Sequence, residues 1–214
     1  MPGMECTTPP TPPARRGRPP GFDRAEALRR ALRLFWDKGY EAATMAQLRQ
    51  AMGGLCAPSV YAAFGSKEQL FRAALDLYQQ ESCAWARAAL DRPTAREAVR
   101  ALLEQAAHHY SAEGQPAGCL LDLALTGDSP ETAPVAALLR ERRLAGEAAL
   151  RARLQAGQAA GELPAGADLD AMAGFYRAVL VGLSSQAQDG APRERLLAIA
   201  AAAMRAWAGW ASPA

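Results

Sequence analysis

The sequence predicts an all-α protein, nine helices behind a proline-rich tail, and three observations carry that prediction. Apolar residues recur at helical spacing through most of the chain, capping signatures open one segment after another, and no stretch shows sustained period-two alternation rich in β-branched residues. Half of the 214 residues are apolar, 7% aromatic and 21% charged, the balance of a globular chain long enough to bury a core.

Seven of the first twenty residues are proline, so residues 1–20 read as a disordered or polyproline-like tail. From Phe22 the pattern turns helical: Leu28, Ala31, Leu32, Phe35 and Trp36 share one face, and Arg29, Arg30 and Arg33 lie mostly off it. Asp23 reads as an N-cap with Glu26 as its reciprocal partner, and Gly39 as a left-handed stop, giving a first helix over about Arg24 to Lys38. Thr44 and Gln47 open a short second helix, with Met45, Leu48 and Met52 inward, that ends at Gly53 and Gly54. A third runs from about Ala57 to Phe64 with Pro58 in its first turn, where a missing N–H costs nothing.

Ser66 and Gln69 cap a long fourth helix, read as continuous through Phe71, Ala74, Leu75, Tyr78, Trp85 and Ala89 and stopping before Pro93. Thr94 and Glu97 cap a fifth that reaches about Ser111. A loop marked by Gly114, Pro116 and Gly118 leads to a short helix from Cys119 to Leu125, and a long one follows from about Glu131 to Gln158. Asp168 caps the eighth, with Leu169, Met172, Ala173, Tyr176, Leu180, Leu183 and Ala187 as its stripe. Beyond Gly190 to Pro192 the ninth carries Leu196, Ile199, Ala200, Ala203, Met204, Trp207 and Trp210.

Composition excludes several functions. The longest strictly apolar run near the C-terminus, Leu196 to Met204, is nine residues between two arginines, half a membrane span. Glu5 and the prolines occupy the place where a secretory peptide needs a basic start and an apolar stretch, so a cytoplasmic location is expected, with no membrane partner. Cys6, Cys56, Cys83 and Cys119 form no CxxC pair, which argues against a disulfide framework or zinc ribbon and reads as small buried hydrophobes. A Cys-His-Asp set can be drawn from Cys119, His109 and Asp122, but no nucleophile elbow, phosphate loop or metal signature accompanies it. The chain is therefore expected to be no enzyme and to need no cofactor and no metal.

The net charge of +2 conceals a division. Residues 1–72 hold 11 basic and 6 acidic side chains, the remainder 13 and 16, so a basic head precedes a mildly acidic body. Within that head, two short helices joined by a glycine turn form a helix-turn-helix pattern. Leu55, Val60 and Phe64 brace the second helix, leaving Ala57, Pro58, Ser59, Tyr61 and Ala62 available to a groove.

From Gly17 to Tyr78 the chain resembles the DNA-binding head of the tetracycline-repressor (TetR) family. The resemblance rests on Phe35, Gly39, Tyr40, Thr44 and Gly54, and then on Tyr61, Phe64, Ser66, Lys67, Glu68 and Leu70. It implies a homodimer with a reading head (residues 21–68) and a body (residues 69–214) that dimerises and holds a small-molecule effector. Position by position, it implies that Thr44 bonds a phosphate, that Tyr61 and Lys67 contact the DNA backbone, and that Ala57, Pro58, Ser59 and Ala62 face base edges. Cys56 departs from the pattern where Ser or Thr commonly caps the recognition helix, Ala57 where Lys is frequent, and Ala62-Ala63 where larger rings are common. Readout would then lean on Ser59, thymine methyls and DNA shape. Arg15, Arg16, Gly17, Arg18 and Pro19 resemble the core of an AT-hook, which implies an arm in the minor groove of double-stranded operator DNA; the alternative is a solubilising basic linker.

In the body, Met172, Tyr176, Leu180, Leu183, Ile199, Ala203 and Trp207 are the expected dimer stripe, with Ala173, Gly174, Ala178 and Gly182 permitting close approach. Trp85, His108, His109, Tyr110 and Cys119, with Phe175 or Tyr176, are the expected pocket lining, suited to an uncharged or weakly polar aromatic effector. The alternatives are a metal or thiol-redox sensor using Cys83, Cys119, His108 and His109, and a helical protein-binding adaptor. Under the resemblance, an effector would tilt the fourth helix and spread the two heads.

Overall fold

Side-chain caps set the starts of five helices in the computed structural model, which describes residues 22–123 and 129–211. Asp23 accepts from the Ala25 and Glu26 amides to begin α1 (Arg24–Ala42). Reciprocal capping boxes open α2 (Met45–Ala51) at Thr44/Gln47, α4 (Lys67–Leu77) at Ser66/Gln69 and α6 (Ala95–Tyr110) at Thr94/Glu97. Asp168 accepts from Ala171 N at 2.9 Å to start α9 (Leu169–Gln188). The remaining helices are α3 (Ala57–Phe64), α5 (Ala84–Leu90), α7 (Leu120–Leu123), α8 (Ala133–Ala159), α10 (Arg193–Arg205) and α11 (Trp207–Ala211). Among the described residues there is no strand. The tail at residues 1–20 and the expected end of the short helix at Leu125 lie outside them.

Four expectations change. Glu26 does not close a box with Asp23; its carboxylate takes Arg30 Nε at 2.8 Å, one turn on. Gly39 does break the first helix, at φ 77°, but one more turn follows before Ala43. The fourth helix is two helices: α4 ends at Leu77, residues Tyr78–Ser82 widen into a π-helical turn, and α5 begins at Ala84. The cause is tertiary, because the Tyr78 ring is held edge-on against Trp36 at 4.8 Å and its hydroxyl reaches Cys119 Sγ at 3.5 Å. The ninth helix also divides, at Ala206, whose N–H bonds back three residues to Ala203 at 3.1 Å.

Helix α6 forms the centre of the body, packed by α5, α8, α9 and α10. The head core is fully buried at Phe35, Leu48, Val60, Leu70 and Phe71, with Phe35 edge-on to Phe71 at 5.0 Å. Head and body are bolted together along α1. Trp36 Nε1 donates to Gly118 O at 3.2 Å and Arg33 to Gly114 O at 2.8 Å, while Arg29 pairs with Glu81 at 3.1 Å. Gly118 has φ 78°, and a Cβ there would sit 2.8 Å from the Ser184 carbonyl oxygen, so only glycine lets this loop pass α9.

Candidate nucleic-acid interface and body cavity

The head presents α3 as a short helix held from behind and from both ends. Behind it, Val60 and Phe64 are buried and Leu55 is half-buried. Arg49 Nε donates to Leu55 O at 2.9 Å and ties the turn to α2. At the far end Arg24 donates to Ala63 O at 3.3 Å and lies 4.8 Å over the Phe64 ring. Gly65 follows at φ 73°, and the Gln69 side chain that closes the α4 capping box occupies the space a Cβ would need.

The outer surface of α3 is small. Pro58 and Ala62 are exposed, Ala57 and Ser59 half-exposed, and Tyr61 projects with 53% of its surface free. Cys56 occupies the N-cap but makes no capping bond; its sulfur lies 3.0 Å from Ser59 Oγ instead. That hydrogen bond lowers the Cys56 thiol pKa. Exposed Thr44 accepts from Gln47 N at 3.2 Å through Oγ1, which leaves its hydroxyl proton free to donate outward. Lys67 is half-buried, its ammonium 4.5 Å over the Tyr40 ring and 3.4 Å from Glu41 O, and burial lowers its pKa. Arg15, Arg16 and Arg18 lie outside the described residues.

The body contains a cavity of about 300 Å³ between α5, α6, α8 and α9. Of the expected lining, it collects Trp85, Tyr110 and Cys119. It does not collect the others: His108 is exposed, and His109 lies between Trp36 at 5.9 Å and Trp85 at 5.6 Å. Phe175 faces outward at 36% exposure and Tyr176 is buried against Trp207 at 6.3 Å. Cys83 shares the wall with Cys119, and burial pushes the two thiols up to about 12 and about 11. The wall also carries Arg87, Arg142, Arg143 and Arg177, none of which stood out in the helical pattern. Only Arg177, inward on α9 between Ala173 and Leu180, gave a signal that could have found it: a charge inside an apolar stripe. It pairs with Asp122, whose side chain is 3% exposed.

Among the described residues no group of three or more His, Cys, Asp or Glu could hold a metal ion, and no helix is long and apolar enough to cross a membrane. The expected dimer stripe needs correcting. Met172, Tyr176, Leu180, Leu183, Ala203 and Trp207 are buried within the protomer, Ile199 is half-buried, and Ala173 of the close-approach set is buried too. The bulkiest stripe of each helix goes to the protomer's own core. What α9 leaves outside is a second apolar face, with Phe175, Ala178 and Val181 exposed and, among the described residues, nothing beyond the helix's own backbone and adjoining residues within 4 Å of a Cβ at Gly174 or Gly182.

Comparison with known proteins agrees with this architecture. Residues 27–74 match the family model "Bacterial regulatory proteins, tetR family". The chain is 37% identical over 194 residues to the HTH-type transcriptional repressor ComR of Escherichia coli K12, covering 90% of this chain and 92% of ComR. It is 31% identical over 188 residues to the repressor BdcR of the same organism, covering 87% and 90%. A solved structure of a cysteine mutant of the TetR family regulator CifR, complexed with 26-base-pair double-strand operator DNA, superposes with a TM-score of 0.86 at 45% identity, covering 89% of this chain and all of that one. With the helix-turn-helix head in place and whole-length relatives that are repressors, the chain belongs to the TetR family of bacterial regulatory proteins and is a DNA-binding transcriptional repressor rather than an enzyme.

Proposed function

We propose that this repressor works in the cytoplasm as a homodimer, grips a two-fold symmetric operator with α3 of each protomer, and lets go when a small molecule fills the body cavity. The observation that supports the reading is the pairing of an outward-facing α3 with a partly open body cavity bordered by the π-helical turn that follows α4. On this reading Thr44, Tyr61 and Lys67 hold phosphates, and Ala57, Pro58, Ser59 and Ala62 face base edges. Arg15, Arg16 and Arg18 extend the grip into the minor groove, on the strength of their sequence alone. The outer face of α9 with the exposed Ala198, Ala201 and Ala202 of α10 forms the self-association surface, the small residues allowing two pairs of helices to approach closely. The division at residue 68 is one of function, since it falls inside α4.

The test is fluorescence anisotropy on a labelled palindromic duplex taken from upstream of the gene. Two protomers are expected per duplex, and Tyr61→Ala and Lys67→Ala each weaken binding by about tenfold, the cost of losing one charged hydrogen bond. Binding by a lone protomer, or unchanged affinity in both variants, would overturn the reading.

A further inference from the structure

We infer that the cavity ligand is a small organic carboxylate, its apolar body among the leucines and its charged end at Arg142 and Arg143. The inference rests on the effector reading above and adds the chemical class. Leu90, Leu102, Leu121, Leu150 and Leu180 supply an apolar wall, and a space of about 300 Å³ is roughly twice one that holds benzene, enough for a single ring or short chain carrying one acid group.

The polar side of the wall decides the class. Four arginines face the cavity with Glu147 as the only carboxylate of its described lining. Arg177 is neutralised by Asp122, and one end of Arg142 by Asp76 at 2.8 Å. Arg143 has a main-chain carbonyl, Leu121 O at 2.8 Å, and Arg87 another, Gln79 O at 3.3 Å; neither acceptor carries charge. Two donors, Arg142 Nε and Trp85 Nε1, are buried with no hydrogen-bond partner among the described residues. A guanidinium does not shed its proton, so the Arg143 charge, which meets only a neutral carbonyl, and the unpartnered Nε of Arg142 are both suited to an incoming anion. A carboxylate meets the fork geometry of arginine and accepts from an indole N–H as well. It would also compete with Asp76, the residue by which α4 is tied to α8, and so couple ligand to the helix that carries the head.

The test titrates the full-length protein with benzoate, phenylacetate and hexanoate, each beside its neutral amide, reading tryptophan fluorescence and heat. Each acid is expected to bind at least about tenfold more tightly than its amide. That preference disappears in Arg142→Gln/Arg143→Gln and survives in Arg143→Lys. Equal binding of acid and amide to the unaltered protein, a preference that survives the double substitution, or no acid binding below about 1 mM would each overturn the inference. Operator anisotropy in the same titrations separates the two readings. Acids that bind with the stated preference yet leave operator affinity unchanged refute release and leave the ligand class standing; amides that release operator where acids do not refute the class and leave release standing.

Discussion

The head and the body satisfy their polar groups differently. Among the described residues, every buried side-chain nitrogen or oxygen without a hydrogen-bond partner belongs to the body: Trp85, His109, Arg142, Tyr176, Gln186 and Trp210. The head has none, and two of its three complete helices, α1 and α2, start at side-chain caps. A surface that must fit a fixed DNA groove benefits from being complete before it meets its target. Of the body's six, Trp85 and Arg142 line the cavity, where an unmade hydrogen bond is what a ligand can improve on.

The thiols measure this contrast most sharply. Cys56 is exposed and its pKa is lowered by Ser59, whereas burial raises Cys83 and Cys119 to about 12 and about 11. With iodoacetamide at neutral pH and peptide mass spectrometry as readout, Cys56 is expected to alkylate at least about a hundredfold faster than either body thiol, because only thiolate attacks. Comparable rates would mean that the body opens freely and would erase the distinction. Operator DNA should slow Cys56 alone.

Next in size is the seam between the two regions. Trp36 is buried and hydrogen-bonded into the body, so Trp36→Ala is expected to cost about 3–5 kcal/mol in urea unfolding, as large core truncations do. The loss should appear in one transition shared by both regions. A head that melts separately would show the seam to be a loose contact.

The smallest effect concerns His109. Burial lowers its pKa below the ordinary 6.5, so on acidification the unfolded chain takes up the proton first. This residue's contribution is therefore fully present above about pH 6.5 and is lost as pH falls below it, at a slope of at most about 1.4 kcal/mol per pH unit. His109→Gln should flatten that limb of a thermal-midpoint profile between about pH 7 and 5.5. An unchanged profile would place the imidazole in water, outside the Trp36 and Trp85 stack.

The sequence was most readable where structure is local. Capping pairs at Thr44/Gln47, Ser66/Gln69 and Thr94/Glu97 lie three residues apart and stand as expected. The break at Tyr78 was not readable, because Trp36 and Cys119, 42 and 41 residues away, impose it. The stripe expected at a dimer interface lies largely in the protomer's own core for a related reason: α9 is apolar on two faces, and periodicity reports that a face is buried without saying against what. The arginines of the cavity were invisible in α8, where a run such as Arg140 to Arg143 has the composition of a solvated face.

The bond from Trp36 to Gly118 spans 82 residues, and it also constrains the order of assembly during synthesis. The DNA-reading segment leaves the ribosome first, yet the residue that closes its rear wall is translated about 4–16 s later at ordinary bacterial and eukaryotic rates. A newborn head is unfinished for that interval. Chains truncated before Gly118 should therefore lack a stably seated Trp36.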